Sequence, residues 1–379
     1  MSQIPVLLMV RSLDHGGCER DAAKIAIGLD RTRFEPHVAV FHKGGFRTPE
    51  VLAAGVNVVN VPVTSFGNLS TVKGARILGD YVRKHKIQLI HAFDVPTDLF
   101  AAPVARWYRV PRVITSQLSF RDMYPPRERA ALRVTDWLSD AVVVNSAAVG
   151  KSLENEAKLS SAKIYLSYNG VNTEQFYPGP SQRPEAFRDA SVIVGSVCVM
   201  RSEKRMDWVL RSFAEVFKAD RNARLLFVGS GPEVEPLKAL RDSLGLRDVC
   251  MFVPGQAEVA DWMRSLDIYI NSSYSESFPN GLLEAMACGC CPIGSNVGGI
   301  PELITHMQNG LIFDSNKQEE LTEMMRTAVL DPGLRTRLRE EAARTAREQF
   351  SMKIALARTE SLYSKVLGKL NGKPQDISV

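Results

Sequence analysis

Asp267–Ala287 reads DIYINSSYSESFPNGLLEAMA, and its three parts decide the fold. Ile268–Asn271 is a short β-branched run with the look of a buried strand, Ser272–Asn280 is a loop, and an apolar helix opens at about Gly281. A strand that feeds a helix through a Pro-Asn-Gly loop is one half of a βαβ unit. The loop also exposes the free N–H groups of the helix's first turn, and these with the helix dipole favour a phosphate. Glu276 in the loop and Glu284, about one turn into the helix, are separated by seven residues. Both can face one ligand while addressing different ends of it, and a carboxylate accepts two neighbouring sugar hydroxyls well. A capping acid at a helix start explains one such glutamate, but neither the pair nor the glycine between them.

The same alternation extends in both directions. Strands are expected at Val6–Val10, His37–Phe41, Val56–Val61, Leu89–His91, Val113–Thr115, Ala141–Val144 and Ile164–Leu166. After the Asn-, Gly- and Pro-rich segment Asn169–Pro180 they restart at Val192–Val197, Arg224–Val228, Val249–Phe252, Ile268–Asn271 and Cys291–Gly294. From about Lys317 the periodicity is only helical, over Glu319–Leu330, Leu334–Gln349 and Met352–Leu370, and the last helix is long enough to leave its own domain. A chain of 379 residues suits two such domains, one over 1–168 and one over 169–350, with the helix at about 351–370 returning to the first. Two open α/β sheets joined by a linker make a cleft, with ligands outside the carboxyl ends of the strands.

Composition narrows the class. Hydrophobic residues at 45% and charged residues at 23% exclude disorder and collagen. No stretch approaches the roughly 18 apolar residues of a membrane span, and Arg11 stops the run Ile4–Val10, so neither a signal peptide nor a transmembrane helix is expected. Six cysteines, three of them at Cys288, Cys290 and Cys291, form no disulfide framework or zinc spacing and read as reduced thiols of a cytoplasmic protein. Residues 1–168 carry 22 Lys+Arg against 15 Asp+Glu, whereas residues 169–379 carry 25 against 27. A basic N-terminal domain suits a phosphate-bearing acceptor or an anionic membrane surface, and an ordinary solvated surface fits the same count. The cations are scattered without an aromatic-interleaved stripe, which argues against nucleic acid.

Further strand ends carry candidate groups. Arg201 and Lys204 in Val197–Arg205 (VCVMRSEKR) could neutralise a diphosphate, or form a solvated surface pair. Gly16-Gly17 opens a helix after the first strand, where glycine lets the backbone approach a ligand. Gly229-Ser230-Gly231-Pro232 lacks the third glycine of a dinucleotide loop, which disfavours a nicotinamide dehydrogenase. His91, Asp94 and Gln117 also sit at strand ends, although a single buried histidine is usually structural. No Asp-x-Asp motif precedes a metal site, so neither a divalent ion nor a cofactor is expected.

Gly195–Arg205 (GSVCVMRSEKR), Leu226–Pro232 (LFVGSGP), Asp267–Ala287, Gly294–Ile304 (GSNVGGIPELI) and Asn309-Gly310-Leu311 resemble the retaining family 4 glycosyltransferases of the GT-B fold. The turn Gly16-Gly17-Cys18-Glu19 and the linker Asn169-Gly170-Val171 match the same family, and the E-x7-E pair is highly specific in that setting. The resemblance implies two Rossmann-like domains facing across a cleft, with a final helix that crosses back onto the N-terminal one. It implies that Glu276 holds the donor sugar, with Ser277, Phe278, Pro279 and Asn280 shaping its pocket. Glu284 would bind the ribose, Lys204 and the amides at Gly281 and Leu282 the diphosphate, and Gly17 the same group from the N-terminal domain. The family's usual arginine is matched by Val199, with Arg201 its replacement, and its usual histidine by Gln117, which cannot act as a general base. In the front-face displacement ascribed to the family, the departing phosphate takes the acceptor's proton.

The implied activity is metal-independent, retaining transfer of a hexose-type sugar from a nucleotide diphosphate-sugar. UDP is favoured by family frequency alone. The acceptor would be a glycan or a lipid-linked molecule of polysaccharide or glycolipid assembly, held by the N-terminal domain; the segment Phe120–Arg133 (FRDMYPPRERAALR) suits peripheral contact with an anionic membrane, or is an ordinary loop and helix. A nucleotide-sugar epimerase of the same fold and a catalytically silent sugar-nucleotide-binding protein remain as alternatives.

Overall fold

The computed structural model describes residues 3–180, 183–256 and 258–368, and the chain divides into two compact units. One holds the residues up to Tyr168 together with those from Ala355 onward; the other is Asn169–Ile354.

The N-terminal unit is a seven-stranded parallel sheet: β1 (Ile4–Val10), β2 (Phe34–Val40), β3 (Asn57–Asn60), β4 (Leu89–Ala92), β5 (Arg112–Gln117), β6 (Ala141–Val144) and β7 (Ile164–Leu166), in the order β3-β2-β1-β4-β5-β6-β7. Its inner strands are buried on both faces, as helical crossovers on a parallel sheet require, while the edge strands β3 and β7 are partly exposed. Along β1 the side chains divide: Val6, Leu8 and Val10 join one core cluster, and Leu7 and Met9 join the other. The first cluster is completed by Leu362, Tyr363, Val366 and Leu367 from the helix Met352–Gly368. That helix does cross back to the N-terminal unit, as the family resemblance implies. The last two residues of its sequence-read span, Lys369 and Leu370, lie outside the described residues.

The second unit repeats the winding with β8 (Ile193–Val197), β9 (Arg224–Val228), β10 (Cys250–Val253), β11 (Ile268–Asn271), β12 (Cys291–Ser295) and β13 (Leu311–Phe313), ordered β10-β9-β8-β11-β12-β13. The sequence reading carried five of these strands. The sixth, β13, has only three residues, too few for any periodicity, and is recognised by pairing Leu311 with Ile293. Gly310 makes that pairing possible, because a Cβ there would lie 2.7 Å from the Pro292 ring.

In both sheets the strand order reverses beside the first strand, so each has a switch point where ligands of such folds bind. Among the described residues no helix is long and apolar enough to cross a membrane.

Candidate functional site

In the Asn169–Ile354 unit, two loops leave neighbouring strand ends and are stitched together. The chain after β8 is held by a backbone ladder in which Met200 donates to Ser230 and Glu233 donates to Met200. Gly231, at φ +154°, must be glycine there, since a Cβ would stand 2.3 Å from the Met200 carbonyl. The Gly-Ser-Gly-Pro turn that lacks a dinucleotide fingerprint thus serves to shape the neighbouring loop. A single 3-10 turn, Ser202–Lys204, follows, and Arg205 takes a left-handed conformation (φ 49°, ψ 45°) before the helix Met206–Val216.

The second loop fastens to this one. Ser272 Oγ donates to the Lys204 carbonyl at 2.6 Å, and the Tyr274 amide donates to Glu203 at 3.0 Å. The Arg205 guanidinium lies over the rings of Trp208 and Tyr274, at 4.5 and 5.0 Å, and donates to the Ser315 carbonyl. The result is direct contact between Lys204 Nζ and Glu276 Oε2 at 2.5 Å, with the two side chains 23% and 15% exposed. Cys198 lies close by, and burial pushes its thiol up to about 11, so it is neutral at physiological pH.

The helix Asn280–Ala287 starts beside this pair. Gly281 sits on Tyr269, whose hydroxyl donates to the Val197 carbonyl at 3.1 Å, and a Cβ on Gly281 would come within 2.8 Å of that hydroxyl. Its glycine is therefore required by packing. Asn280 Oδ1 accepts from Asn169 Nδ2 at 3.0 Å, which ties the linker to the helix start. Glu284 is buried one turn in. Phe278 and Leu282 are buried as well, the former 6.1 Å from the Phe350 ring, so only their backbones can serve a ligand. Ser277 is half-buried and Pro279 buried. The Arg201 side chain is 62% exposed and lies 3.7 Å from Glu203. Among the described residues no group of three His, Cys, Asp or Glu is arranged to hold a metal ion.

In the N-terminal unit the strand-end residues mostly engage one another. Gly16 is the extended N-cap of the helix Gly17–Gly28, and a Cβ there would overlap the Glu19 carboxylate, whereas one on Gly17 would meet nothing within 4 Å. His91 is a core residue. Its Nδ1 is 2.8 Å from the Tyr363 hydroxyl and its Nε2 2.8 Å from Ser116 Oγ, and burial holds its pKa down to about 3. Both ring nitrogens thus have protein partners in this structure. Asp94 is the N-cap of the helix Val95–Trp107, accepting from the Thr97 amide at 2.9 Å in a reciprocal capping box.

Gln117 is buried and held at both ends: Nε2 donates to Asp98 at 3.2 Å, and Oε1 accepts from Arg121 Nε at 3.0 Å. Arg121 in turn grips Asp136 with two bonds of 2.7 and 2.6 Å. Burial, with Asp94 nearby, holds the Asp98 carboxyl well above its ordinary range. Asp98, Arg121, Asp136 and Arg205 were not singled out from the sequence. The charged residues among scattered polar positions carry no periodic signal, and a left-handed arginine has no local signature.

With this geometry in view, comparison with known proteins is specific. Residues 15–175 match the family description Glycosyltransferase Family 4, and residues 180–345 match Glycosyl transferases group 1. The N-acetyl-alpha-D-glucosaminyl L-malate synthase of Bacillus anthracis is 30% identical over 60% of this chain and 61% of its own length. The D-inositol 3-phosphate glycosyltransferase of Thermobifida fusca is 26% identical over 76% of this chain and 75% of its own. The chain thus spans less than two thirds of the first of these relatives. The solved structure of Anabaena Alr3699/HepE in complex with UDP superposes with a TM-score of 0.81 at 19% identity, over 96% of this chain and 100% of that one. At that identity the likeness shows a shared fold.

Proposed function

The chain belongs to the family 4, group 1 glycosyltransferases, and from that membership we propose that it transfers a hexose-type sugar, with retention and without a metal ion, from a nucleotide diphosphate-sugar to a glycan or lipid-linked acceptor. The observation that carries this reading is the Lys204–Glu276 contact beside the start of the helix Asn280–Ala287. A partly buried ion pair whose members can exchange partners is suited to a ligand with both anionic and hydroxyl-bearing ends. Lys204 turns to the diphosphate and Glu276 to the sugar hydroxyls, so neither charge is left desolvated and alone.

The chemistry asks for stabilisation of the leaving diphosphate more than for a nucleophile. Lys204, the amides at Gly281 and Leu282, and Arg201 from its exposed position supply it in this reading. Ser277–Asn280 line the sugar, Glu284 takes the ribose, and Gly17 offers the donor its unobstructed backbone. UDP is the nucleotide proposed; Alr3699/HepE, of like fold, was solved with UDP-glucose. The N-terminal unit, with its basic excess, takes the acceptor and meets an anionic membrane surface in a polysaccharide or glycolipid pathway. A second reading, donor binding without turnover, draws on Gln117, whose amide is held by Asp98 and Arg121.

Thermal-shift titration with UDP, GDP, ADP and their sugar conjugates, in EDTA and then with magnesium, tests the donor site. One nucleotide series should stabilise the protein equally in both, by about 2.7 kcal/mol at a hundredfold excess over Kd. Lys204→Ala should remove most of that shift. No shift with any nucleotide would overturn the reading, and a shift seen only with magnesium would overturn its metal independence.

A further inference from the structure

The edge of the N-terminal sheet opposite its strand-end loops has an unusual surface. Arg106, in the last turn of the helix Val95–Trp107, pairs with Asp140 at 2.7 Å, immediately before β6, which puts that helix end at the N-terminal edge of the strands. Its Nε also donates to the Leu138 carbonyl at 2.7 Å, joining it to the end of the helix Pro126–Leu138. Beside this junction stand two tryptophans, Trp107 and Trp137, 83% and 78% exposed. The patch continues through Tyr108, whose ring lies 5.0 Å beneath the Arg83 guanidinium, to the end of the helix Leu69–Lys84. On the other side, Glu156 and Ala157 share a pocket of about 270 Å³ with Arg129 and Arg133 of the helix Pro126–Leu138.

Exposed cations surround the indoles: Arg83, Lys84, Lys86, Arg109 and Lys158. Three of them occupy an uncommon backbone state. Lys86, Arg109 and Lys158 have φ of 51°, 57° and 57°, and each precedes an amide that closes back on its helix, Ile87 to Val82, Val110 to Ala105 and Leu159 to Leu153. Glycine is the favoured residue at such helix ends. The same closure elsewhere in the chain uses Gly55, Gly245 and Gly289. Helix dipoles account for cations in a last turn, but not for left-handed cations in place of glycine, nor for two exposed indoles. The acids on this surface include Asp140, held by Arg106 and Arg112, Asp80, paired with Arg83 at 2.7 Å, Glu35 beside His37, and Glu154 and Glu156.

The geometry points to this edge as a docking surface for an anionic lipid bilayer: Trp107 and Trp137 enter the interfacial layer, and Lys86, Arg109, Lys158 and Arg83 meet the headgroup charge. Amphipathic indoles ringed by Lys and Arg match the chemistry of that layer, and positive charge complements its surface potential. The inference deepens the membrane-facing part of the reading above and is independent of the donor site. It leaves the loops that carry Gly17, Asp94 and Gln117 free at the opposite edge.

Vesicle flotation of the full chain tests it, with phosphatidylcholine alone and phosphatidylcholine mixed with phosphatidylglycerol. The protein should float only with the mixed vesicles and be released at high salt. Trp107→Ser/Trp137→Ser should stay in the bottom fraction. Lys86→Gly/Arg109→Gly/Lys158→Gly should bind on the order of 100-fold more weakly. Because the glycines relieve left-handed strain, that variant should melt no lower than the parent, which separates lost binding from lost folding. The nucleotide thermal shift should be the same in every variant. The proposal is overturned if the parent does not float, or if the glycine variant floats as well as the parent. It is also overturned if the tryptophan variant only turns a dimer into a monomer in sedimentation, in which case the surface meets a second copy of the chain.

Discussion

The two units wind their sheets in the same order yet treat polar groups at their strand ends in opposite ways. In Asn169–Ile354, Lys204 and Glu276 meet while partly exposed, beside an open helix start. In the N-terminal unit, Gln117, Asp98, Arg121 and Asp136 are buried and bond one another in a chain, and His91 is buried between Ser116 and Tyr363. The first arrangement can exchange protein partners for a ligand; the second is closer to a structural network, whose members lose more by parting. Position at a strand end is therefore a weak guide to function until one knows whether the side chain's hydrogen bonds are already made.

Three experiments test this contrast. The largest effect is expected from Glu276→Ala: sugar transfer should fall by roughly 10²–10⁴ while nucleotide binding persists, because Lys204 is then free for the diphosphate. Steady-state rates beside a nucleotide titration would check it, and full activity would remove Glu276 from the site. Next, Gly281→Ala should destabilise the protein by about 1–3 kcal/mol through the Tyr269 hydroxyl. Adding Tyr269→Phe should recover part of that loss in a denaturant-melt cycle, and strict additivity would show that the close approach is not the cause.

The third experiment concerns His91 and asks whether the N-terminal network is structural. Its folded pKa, about 3, lies below the unfolded value of 6.5. The stability it contributes is therefore present above pH 6.5 and is lost as pH falls toward 3. Urea melts over that range should show a shallower decline for His91→Gln than for the parent. Equal slopes would mean that His91 titrates without coupling to folding.

Much of the fold was legible because short β-branched runs and amphipathic helices carry their periods locally. All seven N-terminal strands and five of the six in the second unit could be placed this way, whereas β13 could not, for three residues have no period. The E-x7-E spacing and the cations after β8 likewise marked the C-terminal unit's strand ends as candidate sites.

Sequence by itself thus determined the elements, their alternation and the candidate charges, since propensity and pattern act over a few residues. Tertiary structure alone decided which charges meet. Lys204 and Glu276 are brought together by Ser272 and Tyr274 gripping the neighbouring loop, and His91 loses both nitrogens to Ser116 and to Tyr363 on the returning helix. Hydrogen bonds and burial are set by neighbours distant in the chain, and these become neighbours only when the sheets are wound.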